Sequence, residues 1–364
     1  MRLLAAVTLC LGLASAAGAD PKAKSVILFV GDAGGLPTLS AAAIEAGRPQ
    51  QLFIQRMPWI GLMETSSAVA WVTDSAATMT AMVTGEKTQN GVLSQSDSAV
   101  RGQQDGRVLK TILEYAEERG LSTAVVSNSP ITDATPAALY AHVNDRSKTG
   151  EIMAQVFVPR SGDGVDVMIG AGRARILQAT AERGLDLDAE ARRHGYELQY
   201  SLAAVSPDAR RLIVLLDDGN FDLAAATQIA LRILSRNRRG YFLMVESDLH
   251  ADDVALALRR TVELDGVIES TARTVNPKHT LVIYAADHSF DLRVRGGKKG
   301  ESLLAHPEAP KPSLRKDAGH TGEEVVVAAR GPGAERVRGF FPNTYLFHVM
   351  MAAYGWEPRS RTSR

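Results

Sequence analysis

Thiol chemistry is all but missing from this sequence. One of its 364 residues is cysteine, and that residue, Cys10, lies in the apolar stretch at the N-terminus. Leu9 stands before it, where a lipid-attachment signal wants a small residue, so Cys10 does not read as a lipid anchor. The rest of the chain has no thiol and no disulfide, which excludes cysteine nucleophiles and thiolate zinc sites. Stability must come from packing and from bound ions. Net charge is missing too, because 41 basic residues balance 41 acidic ones. No overall field gathers nucleic acid or an anionic membrane, so an anion must be drawn by metal ions or a few placed cations. Past the N-terminus no segment is long and apolar enough to span a bilayer as a helix. Internal repeats and low-complexity tracts are absent.

What is present begins with the parts of an export signal. Arg2 supplies the charge, Leu3 to Leu13 the short apolar stretch, and Ala17-Gly18-Ala19 a small-residue cleavage site before Asp20. Residues 1–19 are expected to be a leader. Residues 20–364 are expected to form one domain of a periplasmic or secreted protein, with no membrane attachment once the leader is gone.

Seven short apolar runs read as buried parallel strands: Ser25–Val30, Ala124–Ser127, Asp166–Ile169, Leu212–Leu216, Tyr241–Val245, Leu281–Ala285 and Val325–Ala329. Helical patterns lie between several of them. Val108, Leu109, Ile112, Leu113 and Tyr115 make an apolar stripe before Gly120, and Asp222–Ser235 and Val254–Ile268 follow the same rule. The alternation predicts an α/β fold, a three-layer sandwich around one mostly parallel sheet. Ser289–Gly319 is rich in Gly, Lys and Pro without clear periodicity, and is expected to be a rim or lid loop.

In open α/β sheets ligands collect beyond the carboxyl ends of the strands, and there the polar residues are unusual. The first run ends in Gly31-Asp32-Ala33-Gly34-Gly35, a carboxylate among glycines that suits a metal ion or a plain Asx turn. In Val72-Thr73-Asp74-Ser75-Ala76-Ala77-Thr78, Ser75 sits at or near a helix N-terminus, which favours anions. A metal can activate such a hydroxyl without a histidine base, although Asp74 or Ser75 could simply start the helix. Asp133 and Thr135 could share a hard cation, and Arg146 fits phosphate oxygens. Glu246, Asp248, His250, Asp252 and Asp253 follow the run Tyr241–Val245, where a cation would offset their burial. The last two also suit a solvated helix start. Asp287-His288 ends Leu281–Ala285 with oxygen and nitrogen donors, as zinc accepts. His320 lies among glycines before Val325.

In this order the segments resemble the alkaline phosphatase family. They run Gly-Asp, Val-Thr-Asp-Ser-Ala-Ala-Thr with Thr-Gly-Glu-Lys-Thr-x-Asn-Gly, Asp-Ala-Thr-Pro with His-Val-x-x-Arg, then Val-Glu, Ala-Asp-His and Gly-His-Thr-Gly, from Val26 to about Phe347. The resemblance implies metal-dependent hydrolysis of phosphate monoesters through a phosphoserine at Ser75, with two zinc ions and one magnesium. One zinc would take Asp32, Asp287 and His288, magnesium Asp32, Thr135 and Glu246, and the second zinc His320. Arg146 would hold phosphate, and Asp133 would orient the magnesium surroundings. A homodimer is also implied.

The chain departs from the family at the second zinc. The family places an Asp five residues after its magnesium-binding Glu and a His four further on, where this chain has Ala251 and Ala255. Asp248 and His250 are the candidate substitutes, with Asp252 a third. Ala33 stands where glycine is usual. The alternatives are a related phosphodiesterase or sulfatase-type hydrolase, and a degenerate phosphate-binding protein.

Overall fold

Val26, Leu28 and Val30 alternate with Ile27 and Phe29 along one strand, and all five are fully buried. A strand apolar on both faces needs cover on both, and the fold follows from that need. The computed structural model describes residues 22–305, 308 and 312–356. The expected leader at 1–19, with Cys10, lies outside the described residues.

The strands are β1 (Ser25–Asp32), β2 (Trp59–Glu64), β3 (Ser122–Pro130), β4 (Val167–Ala171), β5 (Glu197–Gln199), β6 (Leu212–Leu215), β7 (Tyr241–Asp248), β8 (Thr280–Ala286), β9 (Ser289–Val294), β10 (Leu314–Thr321), β11 (Val325–Arg330) and β12 (Gly339–Pro342). Among the described residues ten of them form one sheet in the order β12-β2-β11-β8-β1-β7-β3-β4-β6-β5, and β9 and β10 form a separate ribbon. On one face Val26, Leu28 and Val30 pack with Met79, Met82 and Leu346. On the other, Ile27 and Phe29 pack with Leu39, Leu231 and Ile268. The expected α/β sandwich is present. Among the described residues no helix is long and apolar enough to cross a membrane.

Three expectations need correction. Val325–Ala329 is a buried strand, but β11 runs antiparallel to both β8 and β2. An apolar run reports burial on two faces and says nothing of direction. Ser289–Gly319 is not merely a loop, because β9 and β10 pair within and just beyond it. Their pairing spans a Gly- and Lys-rich excursion that hides any local period. The helix before Gly120 starts only at Ile112, where Thr111 and Glu114 form a capping box. Val108 is extended instead and bridges to Gln95.

Candidate active site

Parallel pairing brings the strand-end carboxylates together. Val30 lies beside Glu246 and Asp32 beside Asp248 across β1 and β7. With a period of two, Asp32, Glu246 and Asp248 fall on one face of the sheet. β8 flanks β1 on its other side and delivers Asp287 and His288 just past its end.

Onto this edge points the helix Ser75–Thr84, all ten residues of which are buried. Asp74 caps it by accepting a hydrogen bond from Ala77 N at 3.1 Å, and Gly85 closes it at φ 79°. Asp74 is the cap and Ser75 the first helical residue. Ser75 Oγ lies 3.3 Å from Asp32 Oδ1 and 3.2 Å from His288 Nε2.

The electrostatics of the cluster are costly for a bare protein. Asp32, Glu246, Asp287 and His288 are all buried. Asp287 Oδ1 accepts from Ala33 N at 3.0 Å and His288 N at 2.8 Å, while its Oδ2 has no hydrogen-bond partner among the described residues. Burial and the neighbouring charge of Asp32 push the Asp287 carboxyl up to about 6, and the same two causes raise Glu246 well above the ordinary range. Burial works to raise Asp32 as well, but the His288 hydrogen bond and the charge of His250 outweigh it and hold Asp32 low. Buried carboxyls this close need a cation or a proton. Asp32, Asp287 and His288 present ligand atoms all within 4.8 Å of one another, and so do His250, His288 and His320. Asp287 Oδ2, orphaned among the described residues, and the buried hydroxyl of Thr135 beside Glu246 are oxygens of the kind a metal ion would satisfy.

His320 arrives from β10, with Nδ1 3.0 Å from Thr73 O. Its Nε2 lies 3.2 Å from His250 Nε2, and its ring stacks on His288 at 3.8 Å between centroids. Burial and the charge of His288 lower the His320 pKa. Burial would also lower His250, but the hydrogen bond to Asp248 and the charge of Asp32 outweigh it and push His250 up to about 9.

Arg146 is clamped between two carboxylates, with Nη1 3.2 Å from Asp74 Oδ2 and Nη2 2.9 Å from Asp133 Oδ1. Asp133 also caps the short turn Ala134–Ala137 that carries Thr135. Asp252 stands apart: it is exposed, and its neighbour Asp253 caps the helix Val254–Thr274. Three neighbours were not singled out in the sequence. Ser127 donates to Glu246 Oε2, Asn128 Oδ1 accepts from Asp248 N at 2.7 Å, and Arg260 reaches Asp248 Oδ2 at 3.3 Å. Ser127 ends a strand run and was findable there, but nothing local marks Arg260.

Known proteins resemble this chain throughout. A model of the alkaline phosphatase family matches residues 23–204 and 217–311, which hold every candidate above except His320. The streptomycin-6-phosphate phosphatase of Streptomyces griseus is 31% identical over 92% of this chain and 91% of its own length. Alkaline phosphatase of Escherichia coli K12 is 29% identical over 92% and 87%. The solved alkaline phosphatase of the Antarctic bacterium TAB5 superposes with a TM-score of 0.79 at 25% identity, covering 93% of this chain and all of that one. A variant of that enzyme was solved with magnesium bound in its M3 site.

Proposed function

The chain belongs to the alkaline phosphatase family and is a phosphatase; from that premise we propose that it hydrolyses phosphate monoesters through a phosphoserine at Ser75. One observation carries the reading. The Ser75 hydroxyl starts a wholly buried helix and faces the carboxylate of Asp32 and the imidazole of His288 at hydrogen-bond distance.

The donor set fits the expected ions. Asp32, Asp287 and His288 mix oxygen and nitrogen, as zinc accepts, while Asp32, Glu246 and Thr135 offer the oxygens magnesium prefers. His250 and His320 would serve the second zinc. Such ions, when bound, lower the pKa of a hydroxyl or a water and offset charge on phosphoryl oxygens.

The chain's own residues do the rest. Ser75 Oγ forms a bond to phosphorus as the substrate's alcohol oxygen leaves with a proton. Water then displaces Ser75 Oγ and releases inorganic phosphate. Two in-line displacements give net retention at phosphorus. The helix N-terminus beneath Ser75 favours the anion. Arg146, held in orientation by Asp74 and Asp133, offers its guanidinium to two phosphate oxygens. The leader-like N-terminus supports an exported, periplasmic or secreted enzyme. The S. griseus relative is itself named for a phosphate monoester, streptomycin 6-phosphate.

The test compares nitrophenyl phosphate, bis-nitrophenyl phosphate and nitrophenyl sulfate, with acid quenching to trap phosphate on the Ser75 peptide. The monoester should turn over fastest and the peptide should carry phosphate. Faster diester or sulfate cleavage would reassign the substrate class.

A further inference from the structure

The second metal half-site keeps His320 but has lost the Asp and the His that its family places at positions 251 and 255. Ala251 is buried in an apolar cluster, Ala255 is exposed on a helix, and neither offers a ligand atom. The fate of Asp248 therefore decides how this half-site is built.

Both oxygens of Asp248 already have partners. Oδ1 faces His250 Nδ1 at 2.8 Å and accepts from His250 N at 3.1 Å. Oδ2 accepts from Arg260 Nη1 at 3.3 Å, and the same nitrogen reaches Asp248 O at 3.3 Å. A second Arg260 nitrogen donates to Gly219 O at 3.4 Å. Arg260 stands on the 21-residue helix Val254–Thr274, whose neighbouring Ala257, Leu258, Thr261 and Leu264 are buried. Its side chain is 13% exposed, against 36% for Asp248. The guanidinium is thus fixed to a rigid element before it meets the carboxylate, unlike a loose surface pair.

With Nδ1–H donated to Asp248, His250 presents Nε2, which faces His320 Nε2 at 3.2 Å. His320 does the same by donating Nδ1–H to Thr73 O. An imidazole whose far nitrogen is tied to an oxygen acceptor is oriented as a ligand. We propose that Arg260 is a positioning residue for this half-site: it holds Asp248 as the hydrogen-bond partner of His250 Nδ1, so that His250 and His320 bind the second zinc and Asp248 does not. This rests on the metal-dependent reading above.

The experiment uses the full mature chain, stripped of metal and titrated with zinc against a chromophoric chelator, with bound metal counted by mass spectrometry. Arg260→Gln should weaken the second zinc by about 10- to 100-fold. The first zinc, and the melting temperature of the stripped chain, should not move. Arg260→Lys should recover part of the loss. Asp248→Asn, whose amide oxygen still accepts from Nδ1–H, should weaken that zinc without removing it, whereas His250→Ala should remove it.

Complete loss of that zinc in Asp248→Asn would make Asp248 a ligand and overturn the proposal. So would unchanged or tighter binding in Arg260→Gln, because freeing a carboxylate can only help if it ligates. Weakening of both zincs alike in Arg260→Gln would mark Arg260 as merely structural and also overturn it. A wild-type chain that binds fewer than two zincs fails at the earlier step, and the metal-dependent reading falls with it.

Discussion

Ser75 and His288 meet across 213 residues of chain, hydroxyl to Nε2 at 3.2 Å. The ring's other nitrogen, Nδ1, lies 3.2 Å from Ser289 O. A carbonyl can only accept, so Nδ1 carries a hydrogen, and Nε2 is the ring nitrogen that faces the serine. The nitrogen suited to a metal is therefore the one beside the candidate nucleophile.

Ser75→Ala removes the attacking oxygen but leaves Asp32, Asp287 and His288 in place. Turnover should fall by roughly three orders of magnitude or more, while metal content by mass spectrometry stays at the wild-type count. Wild-type turnover in this variant would rule out a phosphoserine route.

Arg146→Ala removes a charge-assisted contact worth about 1.5–3 kcal/mol. Inhibition by inorganic phosphate should weaken roughly 10- to 100-fold. Melting should change little, because Asp74 keeps its capping bond to Ala77. Equal inhibition constants in the two proteins would remove Arg146 from the phosphate site.

Exhaustive chelation should abolish turnover and lower the melting temperature, since Asp32, Asp287 and Glu246 are buried together. Zinc at 100 times its Kd should restore about 2.7 kcal/mol of stability. Calorimetry across a zinc series measures this, and a melting temperature indifferent to zinc would contradict it.

Ala33 has φ 62°, the left-handed region that favours glycine. Its N–H nevertheless holds Asp287 Oδ1, so the strained turn keeps a site carboxylate in place. Ala33→Gly should relieve the Cβ conflict at some cost in unfolded-chain entropy, for a net gain of about 0.5–1 kcal/mol in urea unfolding. A loss of stability would mean that the small Cβ packing contact matters more than the backbone.

Far from the site, Glu117 accepts from Thr123 Oγ1 at 2.6 Å. Its pKa is raised to about 8, chiefly by burial and then by the charges of Asp166 and Asp163. A carboxyl raised in the folded state stays protonated there while the unfolded chain ionises. Its stabilisation is therefore complete below the ordinary value of 4.5 and lost as pH rises toward 8. Glu117→Gln keeps the acceptor and removes the titration. Relative to wild type it should gain on the order of 2–4 kcal/mol between pH 5 and pH 9, seen as diverging urea midpoints. Parallel midpoints would refute the assignment.

The frame of the site could be read from sequence because burial writes itself locally. Apolar runs marked all seven expected strands, and Asp32 and His288, just past two of them, are the residues that meet Ser75. What could not be read depends on distant partners. The direction of β11 is set by a chain that leaves β8 at its carboxyl edge and is returned to that same edge by β10, so β11 must run back down. The strands of the ribbon find each other across a segment with no period of its own. Asp252 and Asp253 look alike in sequence, but one caps a helix and the other is exposed near it. Arg260 reaches Asp248 from a helix whose pattern announces only its buried face.

The ribbon joins Ser289 to Thr321 and Phe290 to His320 at its base, so His288 and His320 stand at the foot of one stem. The spacing of the two imidazoles is set where the stem leaves the sheet. The pair farthest along that stem, Val294 with Leu314, lies six residues in sequence from each imidazole, so a substitution there should leave both rings in place.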